Sequence, residues 1–333
     1  EEVTMKGKIV FEEHMAIAET LGNTKAFAGD SGKWEEFERQ ILDVDSERLE
    51  IMDKSGIEFA ILSNNAPGVQ AILETDKAIE VARKANDAMA EAVAKHPKRF
   101  GAFAALPMQD PDAASEELTR CVKDLGFHGA MVNGFTQKDV EDSCIYYDIP
   151  EYRSFWSTVS ELDTPFYMHP RMQLESRAPI YDGHPWLKSA PWGFAVETAG
   201  HALRMCGSGM FDDFPNLKII LGHLGEGIPF GLWRLDARMR FSRRDYRGKR
   251  PLGDYFRDNF VLTTSGNFDD APFRCTIDVV GIDKTFFCAD YPFESMEDAC
   301  EWFDATQSIT DEERLQIGRT NAINYFKLDF LND

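Results

Sequence analysis

Short apolar runs alternate with longer amphipathic segments along the whole chain. Eight such runs stand at residues 8–11, 59–62, 100–106, 129–132, 165–168, 217–221, 260–264 and 285–289. Near-continuous apolarity is typical of parallel strands that are covered on both faces, whereas antiparallel strands with one wet face alternate between apolar and polar residues. The pattern therefore predicts eight buried parallel strands.

The segments between the runs carry the start and stop signals of helices. Asp110 is placed to cap a helix that has Pro111 at its first position and Gly126 just past its end. Residues 46–55 and 76–95 form two further amphipathic segments that predict helices. Strands and helices thus alternate from one end of the sequence to the other, without a repeat or a low-complexity linker.

Eight strand–helix units in one chain favour an α/β fold of the (β/α)8 barrel type over an open doubly wound sheet. The 333 residues would also fit two smaller domains, but barrels of this type routinely use such a length for one domain. We expect a single barrel domain over residues 5–330. The stretches 15–43 and 171–191 are too irregular for single helices, and we interpret them as insertions at the C-terminal face, where a substrate lid is usually found.

Composition and charge exclude several classes of partner. The formal net charge is −21, from 36 Lys and Arg against 57 Asp and Glu, so no basic stripe is available for a nucleic acid. No segment approaches the roughly 20 uninterrupted apolar residues of a membrane span. The six cysteines form no CxxC pair, which argues against a cysteine-bound zinc and for reduced thiols. We expect a cytoplasmic protein with a small-molecule partner.

Polar residues that could bind a metal follow four of the predicted strands. Functional side chains of a barrel lie at the C-terminal ends of its strands, and two residues spaced by one on a strand face the same side. The residues at these ends are Glu12, His14, His169, His223, Glu226 and Asp290. Each alone is a weak signal, but together they indicate a divalent-metal site, and carboxylates with imidazoles suit zinc, manganese or iron better than calcium.

The other histidines are less indicative of function. His96 precedes a proline at a helix end, and His128 begins a strand at the opposite face of the barrel. Because that face usually serves stability, we expect both to be structural or solvated. His184 and His201 lie in or after the second insertion.

These motifs resemble those of the amidohydrolase superfamily, and specifically of its metal-dependent non-oxidative decarboxylases. The resemblance covers about residues 7–328 and rests on the segments GKIVFEEH (7–14), PFYMHPR (165–171), GHLGE (222–226), TTSGNF (263–268) and DYPFE (290–294). DGHPWL (182–187) and VNGF (132–135) resemble the γ-resorcylate (2,6-dihydroxybenzoate) decarboxylase branch. His14 also favours that branch, since relatives acting on 2,3-dihydroxybenzoate or salicylate often lack it.

The resemblance implies roles for individual residues. The family's metal ligands, which hold one Zn²⁺ or Mn²⁺ per subunit, fall on Glu12, His14, His169 and Asp290. Its catalytic acid also falls on Asp290, and a supporting pair falls on the residues His223 and Glu226 of the GHLGE segment. A carboxylate at that last position would equally suit a helix N-terminus, where it interacts favourably with the helix dipole.

Substrate contacts are implied for four residues, which are Phe27, His169, Asp290 and Arg234. Phe27 matches an aromatic residue of the family's substrate pocket. Arg234 is also a candidate for pairing with a carboxylate of the barrel, although a surface or structural salt bridge is the favoured interpretation.

The resemblance implies reversible decarboxylation of a hydroxybenzoic acid, γ-resorcylate above all, by a homotetramer in which Asp290 protonates the ring. Alternatives are another ortho-hydroxybenzoate decarboxylase, a mononuclear metal hydrolase such as a lactonase, and a barrel that only binds phenolic ligands. Many hydrolases of the superfamily begin with His-x-His and bridge two metals through a modified lysine. Here Glu12 replaces the first of those histidines, and the fourth strand ends in Asn133 without a lysine, so a single metal is favoured. An intact ligand set argues against a barrel without catalysis.

Overall fold

The computed structural model describes residues 5–28 and 32–332. In chain order the strands are β1 (Lys8–Met15), β2 (Ile57–Asn64), β3 (Phe100–Ala102), β4 (Ala130–Asn133), β5 (Thr136–Lys138), β6 (Val140–Ile145), β7 (Phe166–His169), β8 (Ile219–Leu221), β9 (Phe260–Thr263) and β10 (Thr285–Phe286). All except β5 and β6 overlap the eight predicted runs. The two additional strands form an antiparallel hairpin directly after β4.

The eight parallel strands close into a ring. Hydrogen-bonded pairing gives two sheets, β1-β2-β3 and β4-β7-β8-β9-β10, and two isolated parallel bridges join them. Ala104 beyond β3 bridges to Ala130 of β4, and Tyr291 beyond β10 bridges to Glu13 of β1. The second junction includes a hydrogen bond of 2.7 Å from the backbone N–H of His14 to the carbonyl of Tyr291. This arrangement is the predicted (β/α)8 barrel.

Helices surround the barrel. In chain order they are α1 (Ala18–Ala28), α2 (Trp34–Leu42), α3 (Glu47–Lys54), α4 (Thr75–Lys95), α5 (Pro111–Lys123), α6 (Arg153–Glu161), α7 (Gly193–Gly207), α8 (Met210–Asp213), α9 (His223–Glu226), α10 (Ile228–Met239), α11 (Leu252–Asn259), α12 (Asp270–Val280), α13 (Met296–Ala305), α14 (Asp311–Leu315) and α15 (Asn321–Phe326). The predicted cap of α5 is present, because the Asp110 carboxylate accepts from the backbone N–H groups of Asp112 and Ala113 at 2.9 and 3.0 Å.

The two stretches interpreted as insertions are irregular, as predicted. The first contains α1 and α2, and the second contains three single turns at Glu175–Arg177, Pro179–Tyr181 and Pro185–Leu187. Phe37 of the first and Pro191 of the second line the same cleft at the C-terminal face of the barrel. The insertions therefore border the functional end of the fold.

Alternate residues of each strand divide the core into two layers, because successive side chains point to opposite faces. On β1, Val10 packs outward against the helices, while Ile9 and Phe11 fill the barrel interior. Near the N-terminal end of the strands, Phe11 lies 4.9 Å from the ring of Phe326 in α15. Apolar side chains thus fill the lower barrel and leave polar groups for its C-terminal end.

Two further features concern the cysteines and the apolar segments. All six cysteines are free thiols, and none is paired in a disulfide. Among the residues described, no helix combines the length and the apolarity that crossing a membrane would demand.

Candidate metal centre and active site

Four buried side chains meet at the C-terminal end of the barrel. Glu12 and His14 come from β1, His169 is the last residue of β7, and Asp290 follows β10. One ligand atom from each lies within 4.8 Å of the corresponding atoms of the other three. His14 Nε2 is 3.1 Å from Asp290 Oδ1, and His169 Nε2 is 3.5 Å from Glu12 Oε1. We call these four residues the metal cage.

An irregularity in β1 sets the direction of these side chains. From Val10 to Glu13 the strand advances three residues while β2 advances two. An extra residue of this kind re-aims side chains and is common beside active sites. Glu12 and His14 enter the metal cage, whereas the Glu13 carboxylate accepts a hydrogen bond of 3.4 Å from the backbone N–H of Ala289.

The donor set fits a divalent cation. Two carboxylates and two imidazoles are the ligands that zinc and manganese accept. The Oε1 atom of Glu12 is buried and has no hydrogen-bond partner among the described residues, although buried polar atoms are almost always paired. On His14, Nε2 faces the cage while Nδ1 lies 3.0 Å from the Ser63 hydroxyl, which fixes the ring orientation as metal-binding histidines require.

Burial and the neighbouring charges shift the pKa values of the cage residues in different directions. Burial raises the pKa of Glu12, and the nearby charge of Asp290 raises it further. Burial also acts to raise the pKa of Asp290, but hydrogen bonds from His14 and His223 outweigh it, so this pKa lies below its usual range. The pKa of His169 is lowered by burial and by the neighbouring His14. A bound cation would compensate the two carboxylates that share this site.

A left-handed turn after β8 directs His223 toward the cage. His223, Leu224 and Glu226 have φ values of 52°, 55° and 56°, which are uncommon for residues other than glycine and frequent at functional sites. His223 Nδ1 lies 2.7 Å from Glu226 Oε1, and Nε2 lies 3.4 Å from Asp290 Oδ2. Burial alone would lower the pKa of His223, but these carboxylates hold it well above its usual value. The raised pKa favours the protonated form of the imidazole.

The cage opens into a cleft of about 1730 Å³. His169, His223 and Asp290 form its floor, and Phe37 and Phe293 belong to its apolar wall. The ring of Phe293 lies 5.3 Å from that of His14 and 5.1 Å from that of Phe37. An apolar wall beside a few convergent polar groups is the usual construction of a site for a small aromatic ligand.

The fold and the cage agree with known proteins. The family model described as amidohydrolase matches residues 48–328. The chain belongs to the amidohydrolase family. It is 53% identical over 328 residues to the γ-resorcylate decarboxylase of Rhizobium sp. (strain MTP-10005), with 98% of this chain and 99% of the relative covered.

Two solved structures extend the likeness to three dimensions. A 2,6-dihydroxybenzoate decarboxylase in complex with 2,6-dihydroxybenzoate gives a TM-score of 0.94 at 52% identity, covering 97% of this chain and 100% of that one. A dihydroxybenzoic acid decarboxylase from Polaromonas sp. JS666, with bound manganese and the inhibitor 2-nitroresorcinol, gives 0.95 at 51% identity, covering 98% of both chains. The amidohydrolase barrel predicted from the motifs is confirmed, and so is a divalent metal as the cofactor of the family.

The structure brings six of the predicted site residues of this amidohydrolase together, which are the four residues of the metal cage with His223 and Glu226. The side chain of Phe27 lies outside the described residues. Arg234 lies on α10 with its side chain exposed, and it does not line the cleft among the residues described. The helix carries it on the outer surface of the barrel, and no pairing with a barrel carboxylate is formed among the described residues. Glu226 precedes α10 and pairs with His223.

Arg48 of α3 is a buried residue of the site region that the sequence analysis missed. Its Nη2 donates to the carbonyl of His14 at 2.6 Å, and its Nε donates to the carbonyl of Asp43 at 3.0 Å. Its guanidinium also lies 4.9 Å over the ring of Tyr291. Arg48 therefore braces the junction between β1 and the residue after Asp290. In the sequence it looks like one of several charges on an amphipathic helix, so no signal marked it.

Proposed function

We propose that this protein is a metal-dependent carboxy-lyase that converts γ-resorcylate (2,6-dihydroxybenzoate) to resorcinol and carbon dioxide, reversibly and without an oxidant. One observation carries the proposal: Asp290 turns Oδ1 toward the cage at His14, 3.1 Å away, and Oδ2 toward the proton-bearing His223, 3.4 Å away. A carboxyl group between a metal site and a proton donor suits ring protonation next to a chelated carboxylate. The relatives named above support the choice of substrate.

Glu12, His14, His169 and Asp290 are the residues that would hold one Mn²⁺ or Zn²⁺. A divalent ion bound there would act as a Lewis acid toward the substrate carboxylate and its ortho oxygen. The chain's own contribution to binding is the aromatic wall, including Phe293, against which a hydroxybenzoate ring can stack. Phe27 stays a predicted substrate contact that the resemblance implies.

Asp290 and His223 together supply the proton that the reaction adds to the ring. In the reacting state Asp290 holds a proton that His223 has passed to it, and Asp290 delivers this proton to the ring carbon that bears the carboxylate. The bond from that carbon to the carboxylate then breaks, its electron pair returns to the ring, and carbon dioxide leaves. Glu226 keeps the imidazole of His223 charged and oriented, so His223 can return a proton to Asp290 for the next turnover.

The domain extent, assembly and location belong to the same proposal. We assign residues 5–330 to one barrel domain. Six free thiols suit the reducing cytoplasm. A homotetramer would cover large exposed side chains of α10, where Phe230 is 91% and Trp233 79% exposed, because such apolar surface usually marks an interface. A monomeric mass in light scattering at working concentration would contradict the assembly.

The test is carbon dioxide release from a panel of acids, with metal content measured on the same sample. We expect 2,6-dihydroxybenzoate to be decarboxylated faster than 2,3-dihydroxybenzoate or salicylate, and a lactone not to be hydrolysed. Chelation should abolish turnover, and added Mn²⁺ or Zn²⁺ should restore it. Full turnover by a demonstrably metal-free sample, or lactone opening without carbon dioxide release, would overturn the proposal.

A further inference from the structure

Three buried hydroxyl groups lie beneath the metal cage and connect Glu12 of the cage to the backbone of His223. Tyr167 donates to Glu12 Oε2, and its oxygen lies 3.1 Å from Thr263 Oγ1. Thr263 Oγ1 is 3.3 Å from the same carboxylate oxygen and 2.8 Å from Ser265 Oγ. Ser265 Oγ in turn accepts from the backbone N–H of His223 at 3.2 Å. We call Tyr167, Thr263 and Ser265 the hydroxyl chain.

The hydroxyl chain distinguishes the two oxygens of Glu12. Oε2 receives the Tyr167 and Thr263 hydroxyls, whereas Oε1 has no hydrogen-bond partner among the described residues and faces the cage. A phenol keeps its proton at neutral pH, so Tyr167 is a donor to the carboxylate. Displacement of the Glu12 carboxylate would leave a buried hydroxyl unpaired, which opposes that displacement.

The direction of the hydrogen bonds is consistent along the chain. The backbone N–H of His223 donates to Ser265, the Ser265 hydroxyl can donate to Thr263, and the Thr263 hydroxyl can donate to Glu12. Each donor then has an acceptor, and hydrogen bonds aligned in this way strengthen one another. The hydroxyl chain therefore supports both the turn that carries His223 and the carboxylate of Glu12.

We propose that the hydroxyl chain is a positioning element that holds Glu12 with Oε1 toward the metal and anchors the His223 turn to the same point. This inference rests on the metal-dependent function proposed above. None of the three residues is a ligand or touches the cleft, and each acts through a neighbour. Removing a hydroxyl from a residue that orients a metal ligand typically weakens metal binding by 10–100-fold.

The first test is the affinity of the metal-free protein for Mn²⁺, measured from the free ion by electron paramagnetic resonance. Tyr167→Phe removes one hydroxyl and keeps the ring. We expect its dissociation constant for Mn²⁺ to rise at least about 10-fold. Thr263→Val should raise it as well, and Thr263→Ser, which keeps the hydroxyl, should restore the wild-type value.

Tyr147→Phe is the matched control. Tyr147 is also fully buried, and its hydroxyl lies 2.8 Å from that of Thr136, in contact with the hairpin that follows β4. We expect this variant to lose stability without losing Mn²⁺ affinity. Equal weakening by both tyrosine variants, or wild-type affinity in Tyr167→Phe, would overturn the proposal. Failure of the wild type itself to bind Mn²⁺ would instead contradict the function proposed above.

The second test addresses the His223 end of the chain. Ser265→Ala keeps the hydrogen bond from Tyr167 to Glu12 but removes the hydroxyl that accepts from the backbone N–H of His223. We expect kcat to fall about 10-fold or more with KM little changed, while Mn²⁺ affinity falls less than in Tyr167→Phe. A rise of KM with kcat unchanged would show that Ser265 does not act through His223 and would remove that arm of the proposal.

Discussion

His223 Nε2 lies 3.4 Å from Asp290 Oδ2, while the other nitrogen of the ring lies 2.7 Å from Glu226. A charged imidazole thus stands between two carboxylates, of which only Asp290 also belongs to the metal cage. This relationship separates the residue that holds the proton in reserve from the residue that delivers it, and the first two predictions test that separation.

Asp290→Asn should lower kcat by at least about two to four orders of magnitude, the usual effect of losing a general acid. Asparagine keeps one carbonyl oxygen but cannot donate a carboxylic proton. The measurement is turnover with metal occupancy determined on the same sample, because loss of the metal alone would also reduce activity. Near-normal turnover with the metal retained would show that Asp290 is not the acid, and His223 would become the candidate.

Glu226→Gln should move the alkaline limb of the kcat profile to lower pH. Glu226 is the largest influence that raises the pKa of His223 against the effect of burial, and glutamine keeps an acceptor without the charge. Because His223 must be protonated, activity is present below its pKa and is lost above it, so a lower pKa moves the loss to lower pH. If the alkaline limb of the kcat profile were unchanged, the pKa of His223 would not be what determines its position.

The eight strands and the cage could be predicted because burial on both faces leaves an unbroken apolar run, and polar residues interrupt these runs only where the strands end. The hairpin β5–β6 could not, since Val140, Glu141 and Asp142 are exposed and supply no such run. The left-handed turn at His223 and the buried state of Arg48 depend on tertiary contacts. A local pattern shows His223 as a residue after a strand and Arg48 as one more helix charge.

Gly222→Ala should weaken Mn²⁺ binding without deleting any hydrogen bond. A Cβ atom at this position would lie 2.8 Å from both Glu12 Oε2 and Ser265 Oγ, so the carboxylate has to shift. We expect the dissociation constant to rise about 10-fold or more. The control is Gly231→Ala in α10, where a Cβ meets nothing within 4 Å. Unchanged affinity in Gly222→Ala would mean that the cage tolerates displacement of Glu12.

Two histidines remote from the cage, the buried His201 and the partly buried His128, should make stability fall in acid. Burial lowers the pKa of His128 to about 4, and burial together with Arg204 lowers that of His201 to about 3. In the unfolded chain both titrate near about 6.5. Their stabilising contribution is therefore complete above about pH 6.5 and is lost as the pH falls toward the folded values, by about 1.4 kcal/mol per pH unit for each.

Denaturant unfolding of His201→Gln between pH 6.5 and 4 measures this effect. The Nε2 atom of His201 accepts from the backbone N–H of Tyr147 at 3.1 Å, and a glutamine oxygen can accept the same bond. We expect a smaller decrease in the free energy of unfolding with falling pH than in the wild type. The exposed His184 provides the control substitution, His184→Gln. Identical pH slopes in wild type and His201→Gln would refute the assignment.

The position of the cage relative to the barrel closure has a thermodynamic consequence. His14 belongs to the first strand of the barrel, Asp290 follows the last strand, and the two residues are 276 residues apart in the chain. A metal ion that binds both is a crosslink around almost the whole polypeptide, and the entropy that such a crosslink removes from the unfolded state grows with the length of the loop it closes. The metal therefore stabilises the closure of the barrel as well as acting on the substrate. Its loss should make β1 and β10 separate before the other strands of the barrel do.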